Sequence, residues 1–366
     1  MIKYINLIDQ WKEDKNKLLP IIDKVLSKGT WVGGENVLKF EKNISKLCGT
    51  KYAVALNSGT DALTLGLYLL GVKRNTEVIT PPNSFIASTS VIVHLGAKPV
   101  FVDVKDDQNI DPSLVEKAIT SKTKAIMPVH LTGRIADMDP LIKISKKYNI
   151  PIIEDAAQSI GSKYKNKQSG SFGLIGCFSA HPLKNLNAMG DSGFLTTNDK
   201  NIYLKVKDLS NHGMTNRDQI NNFGFVSRMD DLQAAILNYR IGKLKKIISC
   251  RRKNANLYRK NLKNNKYVYI PNEKEYEFNT YHTFVVQVAK RDNLKKYLTK
   301  KKIMTSVHYP IPIHLQPASR YLGYKLGDFQ ITEMQSNKIL SLPINQYLKE
   351  KDIKKICRSI NKFYEL

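Results

Sequence analysis

Cysteine is scarce in this chain, and features of secreted or membrane proteins are missing. The 366 residues contain only Cys48, Cys177, Cys250 and Cys357, with neither the spacing of a zinc site nor that of a disulfide framework. No run of 18 apolar residues is present, so we expect no membrane span. The N-terminus, MIKYINLIDQWKEDK, lacks the apolar segment of a signal peptide. These absences favour a protein of the reducing cytoplasm.

Acidic residues are also few. The chain has 32 acidic and 58 basic side chains, which gives a formal net charge of +26. Such a charge raises the possibility of nucleic-acid binding. However, the lysines are spread over predicted surface helices and loops, as in Lys143, Lys146 and Lys147. We therefore expect a solvated basic surface that attracts anionic ligands, and no nucleic-acid partner.

Short apolar segments alternate with segments of helical periodicity through the first half of the chain. The predicted strands are 52–56, 77–80, 99–104, 125–129, 150–153 and 176–179, with 194–197 as an edge strand. The predicted helices are 20–28, 36–47, 61–70, 86–94, 112–118 and 140–148. This alternation predicts an α/β fold with a mainly parallel sheet flanked by helices.

The second half of the chain has a different pattern. Helical periodicity continues from 230 to 262, which is longer than one compact element needs. Strands at 284–288 and 304–308 and a closing helix at 352–363 then predict a smaller α+β unit. We place the boundary near residue 245, giving a large domain 1–245 with an N-terminal helical segment and a small domain 246–366.

The segment 152–193 contains the two side chains that suggest chemistry. An apolar strand delivers Asp155, and a later turn, HPLKN, delivers Lys184 before the glycine-rich sequence GDSG. An amine that forms a Schiff base and a carboxylate that keeps a pyridine nitrogen protonated are the groups that pyridoxal phosphate (PLP) requires. Alone, the pair is weak evidence, because most lysines of so basic a chain are solvated surface residues.

Three sequence segments strengthen this interpretation. EDAAQS, CFSAHPLKNL and GDSG, in that order, resemble the signature of the DegT/StrS-type sugar-nucleotide aminotransferases. The resemblance extends over nearly the whole chain and implies fold type I of the PLP-dependent transferases, the aspartate aminotransferase fold. It also implies that Lys184 binds PLP covalently, Asp155 pairs with the pyridine nitrogen, Gln158 reaches the ring hydroxyl and Ser179 binds the phosphate.

Two earlier loops fit the same resemblance. NSGT follows a predicted strand and precedes a helix, an arrangement that points free backbone N–H groups at an anion. The resemblance implies that Ser58, Gly59 and Thr60 hold the PLP phosphate, with Gly59 allowing a close approach. It also implies that Phe85 stacks on the pyridine ring, although a phenylalanine at a helix start is otherwise a core residue.

The resemblance further predicts the residues that bind the substrate: Trp31, His181, Arg228, His308, Tyr309 and His314. Trp31 lies in a glycine-rich turn that could equally be a connector with a packed aromatic residue. His308 and His314 lie six residues apart, but no third ligand is spaced to complete a metal site, so we expect no metal. Arg228 would contact the diphosphate of the sugar nucleotide bound in the neighbouring subunit, which implies a homodimer with shared active sites.

One position departs from the family pattern. Relatives commonly have asparagine where Val226 stands, and that asparagine reaches across the dimer to the other subunit's PLP phosphate. A valine side chain cannot donate this hydrogen bond. Either another group substitutes for it or the phosphate is held more weakly.

The resemblance implies an aminotransferase that moves an amino group from L-glutamate to a keto-deoxysugar nucleotide, with a 3-keto-6-deoxyhexose favoured. The alternatives are a 4-keto substrate, a PLP-dependent or pyridoxamine phosphate-dependent sugar dehydratase, and a non-catalytic regulatory or basic binding protein. Lys184 argues against the dehydratase, because resembling dehydratases have histidine there. A non-catalytic protein would show a damaged site, and only Val226 departs visibly.

Overall fold

The computed structural model describes residues 1–365. The strands are β1 (Tyr52–Leu56), β2 (Glu77–Thr80), β3 (Lys98–Phe101), β4 (Thr123–Ile126), β5 (Ile153–Asp155), β6 (Lys163–Tyr164), β7 (Lys167–Gln168), β8 (Ile175–Ser179), β9 (Gly193–Thr197), β10 (Val268–Tyr269), β11 (Glu277–Phe278), β12 (Phe284–Val288) and β13 (Ile339–Leu342). The α-helices are α1 (Leu7–Lys28), α2 (Glu35–Cys48), α3 (Gly59–Leu69), α4 (Ala87–His94), α5 (Pro112–Val115), α6 (Met138–Tyr148), α7 (Lys200–Ser210), α8 (Asp231–Leu262), α9 (Arg291–Lys300), α10 (Gln330–Lys338) and α11 (Glu350–Glu365).

The main sheet joins two smaller groups of strands. One group has the order β1-β9-β8-β5 and the other β3-β2-β4. Parallel bridges from Ile126 to Ile152 and from Val129 to Asp155 connect them through β4 and β5. Only β9 runs antiparallel to its neighbours in this sheet. The mainly parallel α/β fold predicted from the sequence is therefore confirmed.

The predicted edge position of the segment 194–197 is wrong. The strand β9 lies between β1 and β8 and pairs with both. All five of its residues are buried, and alternate side chains enter different apolar layers. Leu195 packs with Cys177 towards α3, whereas Phe194 stacks on Phe178, with 4.7 Å between the ring centroids, on the side of α2 and α8. Helices cover both faces, as a parallel sheet requires.

The C-terminal part contains a second sheet with the order β10-β12-β13, packed against α8, α9 and α11. The helix α8 is continuous over 231–262, which confirms the long helix predicted there. The predicted strand 304–308 is wrong: Ser306 forms only an isolated antiparallel bridge with Ser341. Just before this segment, Ile303 pairs with Ile2 near the N-terminus in a parallel bridge. The backbone therefore pairs first with the N-terminal segment and then, at Ser306, with β13, and it follows neither long enough to form a strand. The domain division near residue 245 stays a prediction.

The carboxyl ends of β1, β5 and β8 lie at one edge of the main sheet, where open α/β sheets bind ligands. Because β9 is antiparallel, its first residue reaches the same edge, and Gly193 pairs with both Leu56 and Ser179. The glycine-rich segment GDSG is therefore brought beside the end of β8 and the start of α3. Within residues 1–365, no helix could cross a membrane and no group of His, Cys, Asp or Glu side chains could hold a metal ion.

Candidate active site

A cavity of about 460 Å³ opens at this edge of the sheet. It brings together most of the predicted site residues: Ser58, Gly59, Thr60, Phe85, Asp155, Gln158, Ser179, His181, Lys184, His308 and Tyr309. The most distant of these residues in sequence, Ser58 and Tyr309, are 251 positions apart, and the sheet topology brings them together. The main sheet contributes the carboxylate and Ser179, and the loops beyond it contribute the amine and the aromatic rings.

The N-terminus of α3 forms the anion-binding end of the cavity. The Ser58 hydroxyl caps the helix by accepting a hydrogen bond of 3.0 Å from the Asp61 N–H. The N–H groups of Gly59 and Thr60 belong to the first helical turn, where no intrahelical acceptor is available. The Ser179 side chain lines the cavity beside them. Together these groups suit a phosphate.

Two glycines allow this arrangement. A Cβ on Gly59 would lie 2.8 Å from the Ser179 Cβ, so the start of α3 packs directly on β8. A Cβ on Gly193 would lie 2.2 Å from the Ser58 carbonyl carbon, so β9 also touches the turn before α3. The sequence interpretation assigned Gly59 to phosphate approach alone. The structure shows that glycine at position 59 is also needed for packing. It identifies Gly193 as a second glycine that shapes the phosphate cradle, by which we mean residues 58–60 and Ser179.

Asp155 supplies a buried carboxylate at the carboxyl end of β5, with an exposed fraction of 5%. Its Oδ2 accepts a hydrogen bond of 2.7 Å from the Ser88 hydroxyl, and its Oδ1 accepts one of 3.2 Å from the Ala157 N–H. These bonds fix the carboxylate towards the cavity. Sequence reasoning missed Ser88, and the available signal was its place three residues after Phe85, one helical turn along.

Lys184 lies in the turn after β8. Burial lowers the pKa of its amine to about 8, and the Asp155 charge opposes that change. A lysine with this pKa is partly neutral near physiological pH and can act as a nucleophile or base. The loop is anchored by Asn187, which exchanges two side-chain hydrogen bonds with Gln10 of α1 at 2.9 and 3.1 Å.

Aromatic and amide groups form another wall of the cavity. The Phe85 ring is 55% exposed and lies 5.9 Å from the Tyr309 ring, centroid to centroid. Burial, helped by the Asp155 charge, raises the pKa of Tyr309 to about 12, so its hydroxyl stays protonated. The Gln158 carbonyl accepts a hydrogen bond of 2.9 Å from the Thr132 N–H, which fixes the orientation of its side chain.

Two histidines near Lys184 are neutral. Burial first, and then the Lys184 charge, lowers the pKa of His308 to about 4. The pKa of His282 is held well below its ordinary value, chiefly by burial. His308 Nδ1 lies 2.8 Å from the Ser341 hydroxyl, which orients the ring. Sequence reasoning missed His282, which lies in a segment without a motif and was placed here by tertiary packing.

Three predicted substrate residues do not line this cavity. Trp31 is 60% exposed, and its indole N–H donates to the Leu26 carbonyl at 3.5 Å. Arg228 donates a hydrogen bond of 2.8 Å to the Asn211 side chain. His314 is buried, with Nε2 2.9 Å from the Glu333 carboxylate.

The residues present fit PLP. The N-terminus of α3, where a Cβ on Gly59 would clash with Ser179, suits a phosphate group. The Asp155 carboxylate suits a protonated pyridine nitrogen, and the Lys184 amine suits an aldehyde. All three groups line one cavity.

The chain matches the DegT/DnrJ/EryC1/StrS aminotransferase family over residues 12–361 and belongs to that family. A Geobacillus stearothermophilus protein named a pleiotropic regulatory protein is 37% identical, with 99% of this chain and 98% of the relative covered. A Pseudomonas aeruginosa UDP-2-acetamido-2-deoxy-3-oxo-D-glucuronate aminotransferase is also 37% identical, with 98% and 99% covered. The crystal structure of S. venezuelae DesV in complex with a ketimine intermediate is 33% identical, with a TM-score of 0.97 and 100% and 99% covered. The protein is a PLP-dependent sugar aminotransferase of fold type I.

Proposed function

We propose that this enzyme transfers an amino group from L-glutamate to C3 of a keto-deoxysugar nucleotide in amino-sugar biosynthesis. The observation that carries the proposal is the Lys184 amine, with its pKa near 8, in one cavity with the Asp155 carboxylate and the N-terminus of α3. The name of the Pseudomonas relative, a 3-oxo sugar nucleotide aminotransferase, supports C3 as the position. The 6-deoxyhexose is the sugar that the sequence resemblance favours.

The residues divide the chemistry between them. When bound, PLP supplies an aldehyde that bonds covalently to amines and a ring that accepts the electron pair of a broken C–H bond. Asp155 would keep the ring nitrogen protonated, because a buried carboxylate stabilises a neighbouring cation. The Lys184 amine removes the proton from the α-carbon of glutamate and later returns a proton to C3 of the sugar.

Binding groups surround this centre. The N–H groups at the start of α3 and the Ser179 hydroxyl would hold the phosphate of PLP. The Gln158 side chain, held by the Thr132 N–H, would orient the pyridine ring by contacting the hydroxyl group of that ring. Phe85 lines the cavity and would cover one face of the pyridine ring, where it would limit the access of water and so strengthen the electrostatic interactions inside. His181 and the neutral pair His308 and Tyr309 contact the sugar nucleotide at the cavity.

A homodimer completes the proposal. Arg228 does not line the cavity of its own chain, and we assign it to the substrate diphosphate of the neighbouring subunit. Exposed apolar side chains near it support an interface, since Phe223 is 98% and Val226 62% exposed.

The four free cysteines fit a cytoplasmic location.

A substrate screen tests this function. The purified enzyme is incubated with L-glutamate and a set of 3-keto and 4-keto sugar nucleotides, and products are identified by mass spectrometry. We expect amination of a 3-keto substrate and no product with Lys184→Ala. Selective amination of 4-keto substrates would move the reaction to C4. Loss of a ring hydroxyl group from a keto sugar nucleotide without gain of nitrogen would instead favour a dehydratase.

A further inference from the structure

A second, smaller cavity adjoins the active site at Lys184. It has a volume of about 70 Å³ and shares Leu183, Lys184, His282 and His308 with the larger cavity. The N-terminal residues 4–7 also line it, and Asn345 holds this segment by donating to the carbonyls of residues 3 and 4 at 3.1 and 3.2 Å. A buried water needs roughly 10–15 Å³, so the cavity has room for a group of several non-hydrogen atoms.

The side chain of Arg251 brings an uncompensated positive charge to this cavity. Arg251 lies on α8 with an exposed fraction of 8%, and its Nη1 donates to the carbonyls of Tyr281 and His282 at 3.0 Å each. Its Nε has no hydrogen-bond partner in the described chain. Burial lowers its pKa to about 10, and within residues 1–365 no carboxylate opposes that change. A buried cation without a counter-charge favours the binding of an anion.

Uncharged donors line the same cavity as the guanidinium. The hydroxyls of Tyr4 and Thr283 line the cavity, are buried and have no hydrogen-bond partner among the described residues. Burial raises the pKa of Tyr4, so its hydroxyl remains a donor. The neighbouring His282 and His308 are neutral. One cation with hydroxyl donors suits a single carboxylate, which accepts charge-assisted hydrogen bonds through both oxygens.

We propose that Arg251 binds a carboxylate of the amino donor in this cavity. The inference rests on the proposed function, in which an amino acid such as L-glutamate reacts at Lys184. Size favours the donor over the sugar nucleotide, because a cavity of about 70 Å³ beside the Lys184 amine has room for a carboxylate group but not for a nucleotide. The larger cavity, with His181 and the open side, is left for the nucleotide sugar.

The test compares three amino donors in single-turnover reactions of the PLP-loaded enzyme, followed by cofactor absorbance. L-Glutamate has both carboxylates, L-alanine retains only the α-carboxylate, and 4-aminobutyrate retains only the one that matches the glutamate side chain. In Arg251→Gln, we expect about a 10- to 100-fold loss of apparent second-order rate constant for donors that carry the bound carboxylate. If the rate constant falls for glutamate and alanine but not for 4-aminobutyrate, Arg251 binds the α-carboxylate. If it falls for glutamate and 4-aminobutyrate but not for alanine, Arg251 binds the side-chain carboxylate.

Arg240→Gln is the matched control. Arg240 is also a buried arginine of α8 that donates to backbone carbonyls, at 2.7 and 3.2 Å, but Asp14 neutralises it. We expect this variant to change stability without changing donor preference, and Arg251→Lys to recover part of the lost rate. Calorimetry with glutarate, which does not react, should show weaker binding to Arg251→Gln than to the wild type.

Equal losses on alanine and 4-aminobutyrate would show a purely structural role and overturn the inference, leaving the proposed function intact. Two further results would also overturn the inference and leave the proposed function intact. In the first, Arg251→Gln slows the reverse reaction with an aminated sugar nucleotide and not the reactions with amino donors. In the second, Arg251→Gln binds glutarate as tightly as the wild type does. If the wild type reacts with none of the three donors, the proposed function itself fails, and the inference fails with it.

Discussion

Burial determines the reactivity of Lys184. The amine loses solvation in the cavity, which lowers its pKa to about 8, while Asp155 moves the value in the opposite direction. A typical lysine has a pKa of about 10.4 and is almost fully charged at neutral pH. Among 58 basic residues, Lys184 is therefore set apart by its environment, which sequence composition does not reveal.

The first prediction concerns the identity of the reactive lysine. Borohydride reduction of the PLP-loaded enzyme should attach the cofactor to the peptide that contains Lys184, as read by mass spectrometry after digestion. Lys184→Ala should lower turnover by about 1,000-fold or more while the fold is retained, because it removes both nucleophile and base. Lys12→Ala, at an exposed position of α1, is the control. Label on another lysine would refute the assignment.

The second prediction uses pH. Bond formation between apoenzyme and PLP requires the neutral amine, so its rate should rise with pH and level off above a midpoint near 8. In Asp155→Asn the charge that raises the Lys184 pKa is lost, so the midpoint should move to lower pH. Stopped-flow absorbance from about pH 6 to 10 measures both midpoints. A midpoint near 10 in the wild type would mean that the amine is solvated.

Sequence reasoning found residues that follow strand ends and missed those that only packing supplies. Asp155 and Lys184 were predictable because each follows an apolar strand and belongs to a recognisable motif. By contrast, Ser88, His282 and Arg251 carry no motif. They reach the site from α4, from the loop before β12 and from the middle of α8, and their side-chain directions depend on tertiary contacts.

At the scale of elements, the active site depends on how closely β9 approaches α3. The sequence predicted that the segment 194–197 is a strand, since its residues are apolar or β-branched, but local pattern does not reveal strand order. The structure places β9 between β1 and β8, with Gly193 against the turn that begins α3. The edge position was therefore wrong, although the strand itself was predicted correctly. Likewise, 304–308 reads as a strand locally but lacks a partner to extend along.

The third prediction tests this contact. In Gly193→Ala, the new Cβ would lie 2.2 Å from the Ser58 carbonyl carbon, so the start of α3 must shift. We expect a loss of about 1–3 kcal/mol in the free energy of unfolding, measured with urea, and faster loss of PLP. Gly242→Ala is the control, because its Cβ meets nothing within 4 Å, and a gain of about 0.5–1 kcal/mol is expected in the middle of α8. Unchanged PLP retention in Gly193→Ala would show that the cradle does not need this approach.

At the scale of the whole molecule, the residues that we assign to a subunit interface lie close together in the sequence. Arg228 and the exposed side chains of Phe223 and Val226 occupy one segment, and Val226 forms an isolated bridge with Asn211, whose side chain holds Arg228. An apolar surface next to an arginine that does not reach its own cavity is typical of an interface between subunits. The one departure from the family pattern, Val226, lies in this segment.

The last prediction concerns that departure. If the proposed dimer brings residue 226 to the neighbour's PLP phosphate, Val226→Asn adds a hydrogen-bond donor to a charged acceptor. We expect PLP to dissociate about 10-fold or more slowly, because hydrogen bonds to charged groups contribute about 1.5–3 kcal/mol. Dissociation is measured by absorbance after dilution, and analytical ultracentrifugation checks that the protein is dimeric. Val226→Leu, which adds no donor, should behave as the wild type. If Val226→Asn loses PLP at the wild-type rate in a stable dimer, another group already donates a hydrogen bond to the phosphate. If the protein is a monomer, the proposal that two subunits share each active site is wrong, and Arg228 must have a different role.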